Sequence, residues 1–232
     1  NLESEHAEGL GLVMRHDFNR EEEVFCFFKC GEIYSHYHLD EGSFFLFADG
    51  VPLLDEYGSQ YSTGENAKGE KIRVGASSCH NGISFSEHPE DRDIYNRGRV
   101  DTWRSLPNAD YAVLDIPVHL LHISDARLVP GNQWQWGFEG EDEPCGWWRR
   151  HVLFVKPYGF FFHDELTGTL SSTLDLNIKA KDFEAEGPFS RVYRGIKDHR
   201  IAIHVNAPTT AVTEDDHFHV EPRRDIIAHV HS

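Results

Sequence analysis

The chain has 232 residues, enough for one sizeable core, and its 39% hydrophobic and 26% charged residues are an ordinary globular balance. The formal net charge is −17, from 22 Lys and Arg against 39 Asp and Glu, which excludes binding to nucleic acid through a basic face. No apolar run is long enough for a transmembrane helix, so a soluble domain is expected. Asn1 offers neither an initiator Met nor a signal peptide, so the chain is expected to start inside a longer precursor or at a processing site, and strand patterning to the last residues is compatible with an internal end.

In chain order, residues 3–9 predict at most a short helical turn, and no amphipathic helix follows. Val24 to Phe28 is apolar and aromatic and reads as a strand. Ser43 to Ala48 (Ser-Phe-Phe-Leu-Phe-Ala) reads as a strand buried on both faces. Asp49-Gly50 is a turn dipeptide that returns the chain along Val51 to Leu54. Residues 58–69 and 87–104 read as two long loops, the second charged and poor in aliphatic residues. Strands are then expected at Tyr111 to Ile116, at Arg149 to Lys156 and, beyond a break at Pro157, at Tyr158 to Leu166. Leu174, Leu176 and Ile178 alternate with polar residues, as in a half-buried strand. Ile201 to Val205, Phe218 to Val220 and Ile226 to Val230 complete the set. Many strands with turn punctuation and almost no helix predict an all-β fold, an antiparallel β-sandwich, over residues 1–232.

The four cysteines do not form an obvious framework. Cys26 and Cys30 on one strand would stand roughly 13 Å apart, too far for a mutual disulfide, and buried free thiols are expected there. Trp147 and Trp148 must face opposite sides of their strand, so at most one is a core residue. Trp134 and Trp136, like Tyr34 and Tyr61, suit either a sugar-binding cleft or the core. The His217/His219 and His229/His231 pairs are given no role, since 16 histidines produce such pairs by chance.

The chemistry concentrates in Tyr34-Ser35-His36-Tyr37-His38-Leu39-Asp40-Glu41-Gly42-Ser43-Phe44. A His-x-His pair on a regular strand puts both rings on one face, and neutral imidazoles suit zinc or manganese. The Asp49-Gly50 turn carries Asp55 back beside them. His80 follows in His-Asn-Gly-Ile-Ser-Phe, just ahead of a further short strand. The bland alternatives are a polar surface pair for His36 and His38, a turn-capping carboxylate for Asp55, and a loop histidine for His80.

Three separated strings occur in order: His-x-His-x-Asp-x-Gly-Ser-Phe, then Gly-Val-Pro-Leu-Leu-Asp-x-Tyr-Gly, then His-Asn-Gly-Ile. Together with Arg149 to Leu166 they resemble the C-terminal β-sandwich domain of the heparinase II/III-type polysaccharide lyases, over roughly residues 20–180. The resemblance implies a lyase that cleaves uronic-acid polysaccharides by β-elimination. It implies His36 as the histidine facing the catalytic cleft. It also implies His38, Asp55 and His80 as ligands of one structural divalent metal, zinc in most of the family, with manganese suited by the same ligands. The family's other half is an α/α toroid carrying a catalytic Tyr. That half lies outside this chain, so a toroid domain or partner chain is the implied requirement for activity. An anionic glycan substrate and a secreted or periplasmic location follow from the same resemblance, and a further β domain beyond residue 232 is compatible with it.

In β-elimination the C5 proton beside the uronate carboxylate is removed and the O4 glycosidic oxygen is expelled. A histidine serves either as the base or as a donor to the carboxylate. Two other readings compete. One is a cupin-like metalloenzyme using His36, His38 and Glu41. The other is a non-catalytic glycan-binding or scaffold sandwich.

Overall fold

The computed structural model describes residues 4–31, 40–55, 63–65, 71–73, 79–85, 92–94, 98–118, 120–122, 126–129, 133–136, 144, 146–168, 172–206, 211–218 and 224–231. Described in chain order, the strands are β1 (Glu5–Ala7), β2 (Gly11–His16), β3 (Val24–Lys29), β4 (Phe44–Ala48), β5 (Val51–Leu54), β6 (Thr63–Glu65) and β7 (Lys71–Arg73). They continue with β8 (Gly82–Ser84), β9 (Arg92–Ile94), β10 (Arg99–Ser105), β11 (Ala109–Val118), β12 (Leu120–His122), β13 (Ala126–Val129), β14 (Gln133–Trp136) and β15 (Gly146–Val155). The last are β16 (Gly159–Thr167), β17 (Thr173–Ile178), β18 (Ala180–Gly187), β19 (Ser190–Gly195), β20 (Arg200–His204), β21 (Ala211–Phe218) and β22 (Arg224–His231).

Two antiparallel sheets make the sandwich. The larger runs β1-β2-β3-β4-β5-β17-β22-β21, with β8 also paired to β17; the smaller is β10-β11-β15-β16. Their facing residues form one core: Leu12, Met14, Cys26, Phe28, Phe44, Leu54 and Ile178 from the large sheet meet Ala112, Leu114, Ile116, Trp148, Val152 and Phe154 from the small one. On β15 the alternation is strict, with Trp148, Arg150, Val152 and Phe154 buried and Trp147, Arg149 and Leu153 exposed. The adjacent tryptophans therefore divide as the pleat requires, Trp148 at 1% exposure and Trp147 at 47%. A third sheet, β18-β19-β20, adds Tyr193 to the core.

Several expectations change in the folded chain. Residues 5–7 form an edge strand paired to β2, not a helical turn; ladder hydrogen bonds outweigh a weak local helix preference. The second long loop contains β9 and all but the last residue of β10, and the first contains β6. Strand β4 is not buried on both faces: only Phe44 is fully covered, and Leu46 on the same inner face is partly so. Its outer Phe45 and Phe47 are half-buried and join Phe25 in an aromatic cluster, with ring centroids 5.8–6.4 Å apart. Strand β17 is buried on both faces over Asp175–Ile178, because Asp175 and Asn177 are covered as fully as Leu176 and Ile178. The chain around residue 218 pairs with β22 as part of β21, which ends at Phe218.

Other expectations hold. The turn between β4 and β5 places Asp49 at φ 52° and Gly50 at φ 69°, the left-handed pair that such tight hairpins use. The chain breaks between β15 and β16 at Pro157, whose peptide bond is cis. Cys26 and Cys30 are buried free thiols, and Cys79 is likewise buried. Burial raises the Cys26 and Cys30 thiols far above the ordinary range, so they stay protonated packing groups. Tyr34, Tyr61 and Cys145 lie outside the described residues.

Candidate functional site

The site is assembled along one edge of β17. Its other edge is occupied over its full length by β22. On the free side, β5 pairs at the Ile178 end, with Leu54 opposite Ile178. On that same side β8 pairs at the Thr173 end, with Gly82 opposite Asp175. The two short strands therefore stand end to end against β17, and the junction between them falls at Leu176 and Asn177. Asp55 enters this junction as the residue after β5. His80 enters it as the second residue before β8. Two of the four residues singled out from sequence, remote from each other along the chain, are thus brought to one place.

Two buried amides hold the junction together. Asn81, fully buried, accepts the backbone N–H of Asn177 at its Oδ1 (2.6 Å). Its Nδ2 donates to the carbonyl oxygens of Phe44 (2.8 Å) and Asp55 (3.2 Å). Asn177, at 2% exposure, donates from its own Nδ2 to the carbonyl oxygen of Cys79 (3.1 Å). Backbone bonds complete the knot: Asp55 N–H to Asn177 O (3.2 Å) and Phe44 N–H to Asn81 O (3.2 Å). Each named donor meets an acceptor, which offsets most of the cost of burying these polar groups, while the buried Asn177 Oδ1 accepts no hydrogen bond among the described residues.

The environments of the two candidate ligands differ. His80 is 3% exposed. Asp55 is about a third exposed, and its Oδ2 stands 4.0 Å from the ammonium of buried Lys179. A carboxylate and an imidazole are suitable donors for a zinc-type ion, so the chemistry of the two described members of the three-residue set fits the group that the resemblance implies. His36 and His38 lie outside the described residues. Among the described residues alone, no group of three or more His, Cys, Asp or Glu is placed to hold a metal ion.

The segment that follows His36 and His38 is anchored firmly. Gly42 has φ 74°, and a Cβ there would stand 2.5 Å from the Trp148 ring, so only glycine fits. Its carbonyl oxygen accepts a hydrogen bond from Arg150 Nη1 (2.9 Å), a residue from the opposite sheet. Arg150 is itself paired with Asp164 through Nε (2.8 Å) and Nη2 (3.0 Å). Glu41 does not face outward. Its Oε2 accepts from Lys29 Nζ (2.9 Å) and its Oε1 from the Gly31 N–H (2.7 Å), with the carboxylate 8% exposed overall. Burial raises its pKa, and the Lys29 ammonium partly offsets that. A Glu41 so engaged is a structural ion pair, which removes the ligand that the cupin-like reading needs.

Sequence reasoning missed Asn81, Asn177 and Arg150. Arg150 carries a readable signal, a charged residue at an inward position of an alternating strand. Asn177 looks like an outward polar residue until β5 and β8 are seen to meet beside it.

No protein-family model matches the chain, and no curated protein matches it. Solved structures do. One described as "Heparinase III-BT4657 gene product" aligns with a TM-score of 0.72 and 14% identity, covering 99% of this chain and 33% of that one. Another, "Crystal Structure of Heparinase III", aligns with a TM-score of 0.67 and 12% identity, covering 97% of this chain and 33% of that one. The chain has a heparinase III-like fold, a β-sandwich, and spans about a third of the length of both structures.

Proposed function

We propose that this chain is the β-sandwich part of a polysaccharide lyase that cleaves uronic-acid-containing glycans by β-elimination. The observation that carries the reading is the meeting of Asp55 and His80 at the β5–β8 junction, within a fold like that of heparinase III. In this reading His38, Asp55 and His80 hold one divalent ion, zinc or manganese. The ion cross-links the loop to the sandwich and so serves a structural purpose. His36 faces the substrate and acts on the C5 proton or on the uronate carboxylate. The toroid with its catalytic Tyr is supplied by another segment or chain, and the enzyme works outside the cytoplasm on an anionic polysaccharide.

Metal analysis of the purified chain and of a His38→Ala variant tests the metal assignment. One ion per wild-type chain, lost in the variant, is expected; no ion in the wild type would sink it. In the enzyme completed with its toroid, His36→Ala should abolish formation of the unsaturated product while leaving the ion in place. Full turnover by that variant would remove His36 from the mechanism. A second reading is a glycan-binding scaffold, for which Trp147, 47% exposed on the smaller sheet, offers a ring for sugar stacking. It predicts saturable tryptophan quenching by uronate oligosaccharides with no turnover even when the toroid is present.

A further inference from the structure

We infer that Asn81 is a positioning residue of this site, a side chain that ties together the segments bearing its ligands; the inference rests on reading His38, Asp55 and His80 as a metal-binding set. Three segments must be held in register for such a set to close. They are the strand entered from residues 32–39, the end of β5, and the stretch before β8. Asn81 bonds to the first through Phe44 O and to the second through Asp55 O, and it belongs to the third as the neighbour of His80. Its remaining acceptor is used by the Asn177 N–H, which ties all three to β17.

The orientation of the amide follows from these partners. Two carbonyl oxygens require the NH2 group, and one N–H requires the oxygen, so a flipped amide would lose all three bonds. The side chain is buried, so water cannot replace them. An aspartate would set a carboxylate oxygen against two carbonyl oxygens, so the position needs an amide. The separations along the chain are 26, 37 and 96 residues, and one residue therefore couples both ends of the β4–β5 hairpin and the distant strand β17 to the stretch before β8. Ligands held by such outer contacts lose affinity when those contacts go, typically by roughly 10- to 100-fold.

The test uses the full chain and measures affinity for Zn2+ by competition with a chromophoric chelator, with the visible spectrum of the Co2+ form as a second readout. Urea unfolding of the metal-free proteins gives stability separately. Ser84→Ala is the matched control: Ser84 lies three residues beyond Asn81 at the end of β8, and its buried hydroxyl donates to Asp175 (2.8 Å) on β17. Asn81→Ser should fold, bind Zn2+ at least about 10-fold more weakly, and shift the Co2+ bands. Ser84→Ala should keep wild-type affinity and spectrum at a comparable loss of stability. Asn81→Gln, which carries the amide on a longer arm, is read in the same way if Asn81→Ser does not fold. Wild-type affinity in the Asn81 variants, or equal losses in Asn81→Ser and Ser84→Ala, would overturn the positioning role while leaving the metal assignment standing. No Zn2+ binding by the wild type would overturn the metal assignment and this inference with it.

Discussion

Arg150 Nη1 donates to the carbonyl oxygen of Gly42 across the sandwich at 2.9 Å, joining two residues 108 positions apart in the chain. The guanidinium lies 4.5 Å from the centre of the Trp148 ring and forms a two-pronged pair with Asp164, which also accepts the Trp148 indole N–H (2.7 Å). Charge, ring and glycine make one latch. It fixes the strand entry that follows His36 and His38 against the smaller sheet.

Breaking one half of a buried ion pair leaves the other charge uncompensated, so Arg150→Met should cost about 3–5 kcal/mol of unfolding free energy. Asp164→Asn added to it removes the stranded charge and retains an acceptor for Trp148, and the double variant should recover much of that loss. Urea denaturation of the three proteins decides the matter; additive losses would mean that the pair does not act as a unit.

Lys29 and Glu41 form the second buried pair, at 2.9 Å. Because the folded-state pKa of Glu41 lies above its unfolded value, its burial costs nothing below the unfolded value, where both states are protonated. The cost grows as pH rises between the two values and is complete above the folded one. Glu41→Gln should abolish that dependence. Lys29→Met should sharpen it and lower stability near neutral pH by about 3–5 kcal/mol, since it strands the carboxylate. The pair Lys29→Met/Glu41→Gln should return close to wild type. Stability curves across the acid range check each step, and zinc binding unaffected by Glu41→Gln would separately dispose of the cupin-like reading.

Asp115 shows the opposite sign. Hydrogen bonds from Arg149 (2.6 and 3.1 Å), with a further one from Arg99, hold its carboxyl below the ordinary range despite partial burial. Its contribution to stability is present above the unfolded-state value and is lost as pH falls through the lowered folded one. Arg149→Ala should raise the Asp115 midpoint toward the ordinary value and flatten that part of the acid limb. Carboxyl NMR titration of Asp115 in the two proteins measures it, and an unmoved midpoint would show that Arg99 alone sets it.

The local pattern of the sequence was sufficient for the strongly patterned strands, though not for β1, β6, β9 and β10. Alternation along Trp147 to Val155 reads directly as a strand with one buried face, since side-chain direction reverses at every residue whatever the neighbours. Asp49-Gly50 reads as a tight hairpin because only a pair tolerating positive φ closes it. The strings around Asp55 and His80 also marked the region where β5 and β8 meet, and they announced the fold that the heparinase III structures share. Tertiary structure alone decided what those residues lean on. Whether Asn177 is a surface residue depends on two short strands, from distant parts of the chain, ending beside it. Whether Arg150 sits in the core depends on Asp164 and a glycine carbonyl arriving to compensate its charge. Strand periodicity is a property of one segment, whereas burial and hydrogen-bond satisfaction belong to pairs of segments, and no single stretch of sequence contains its own partner.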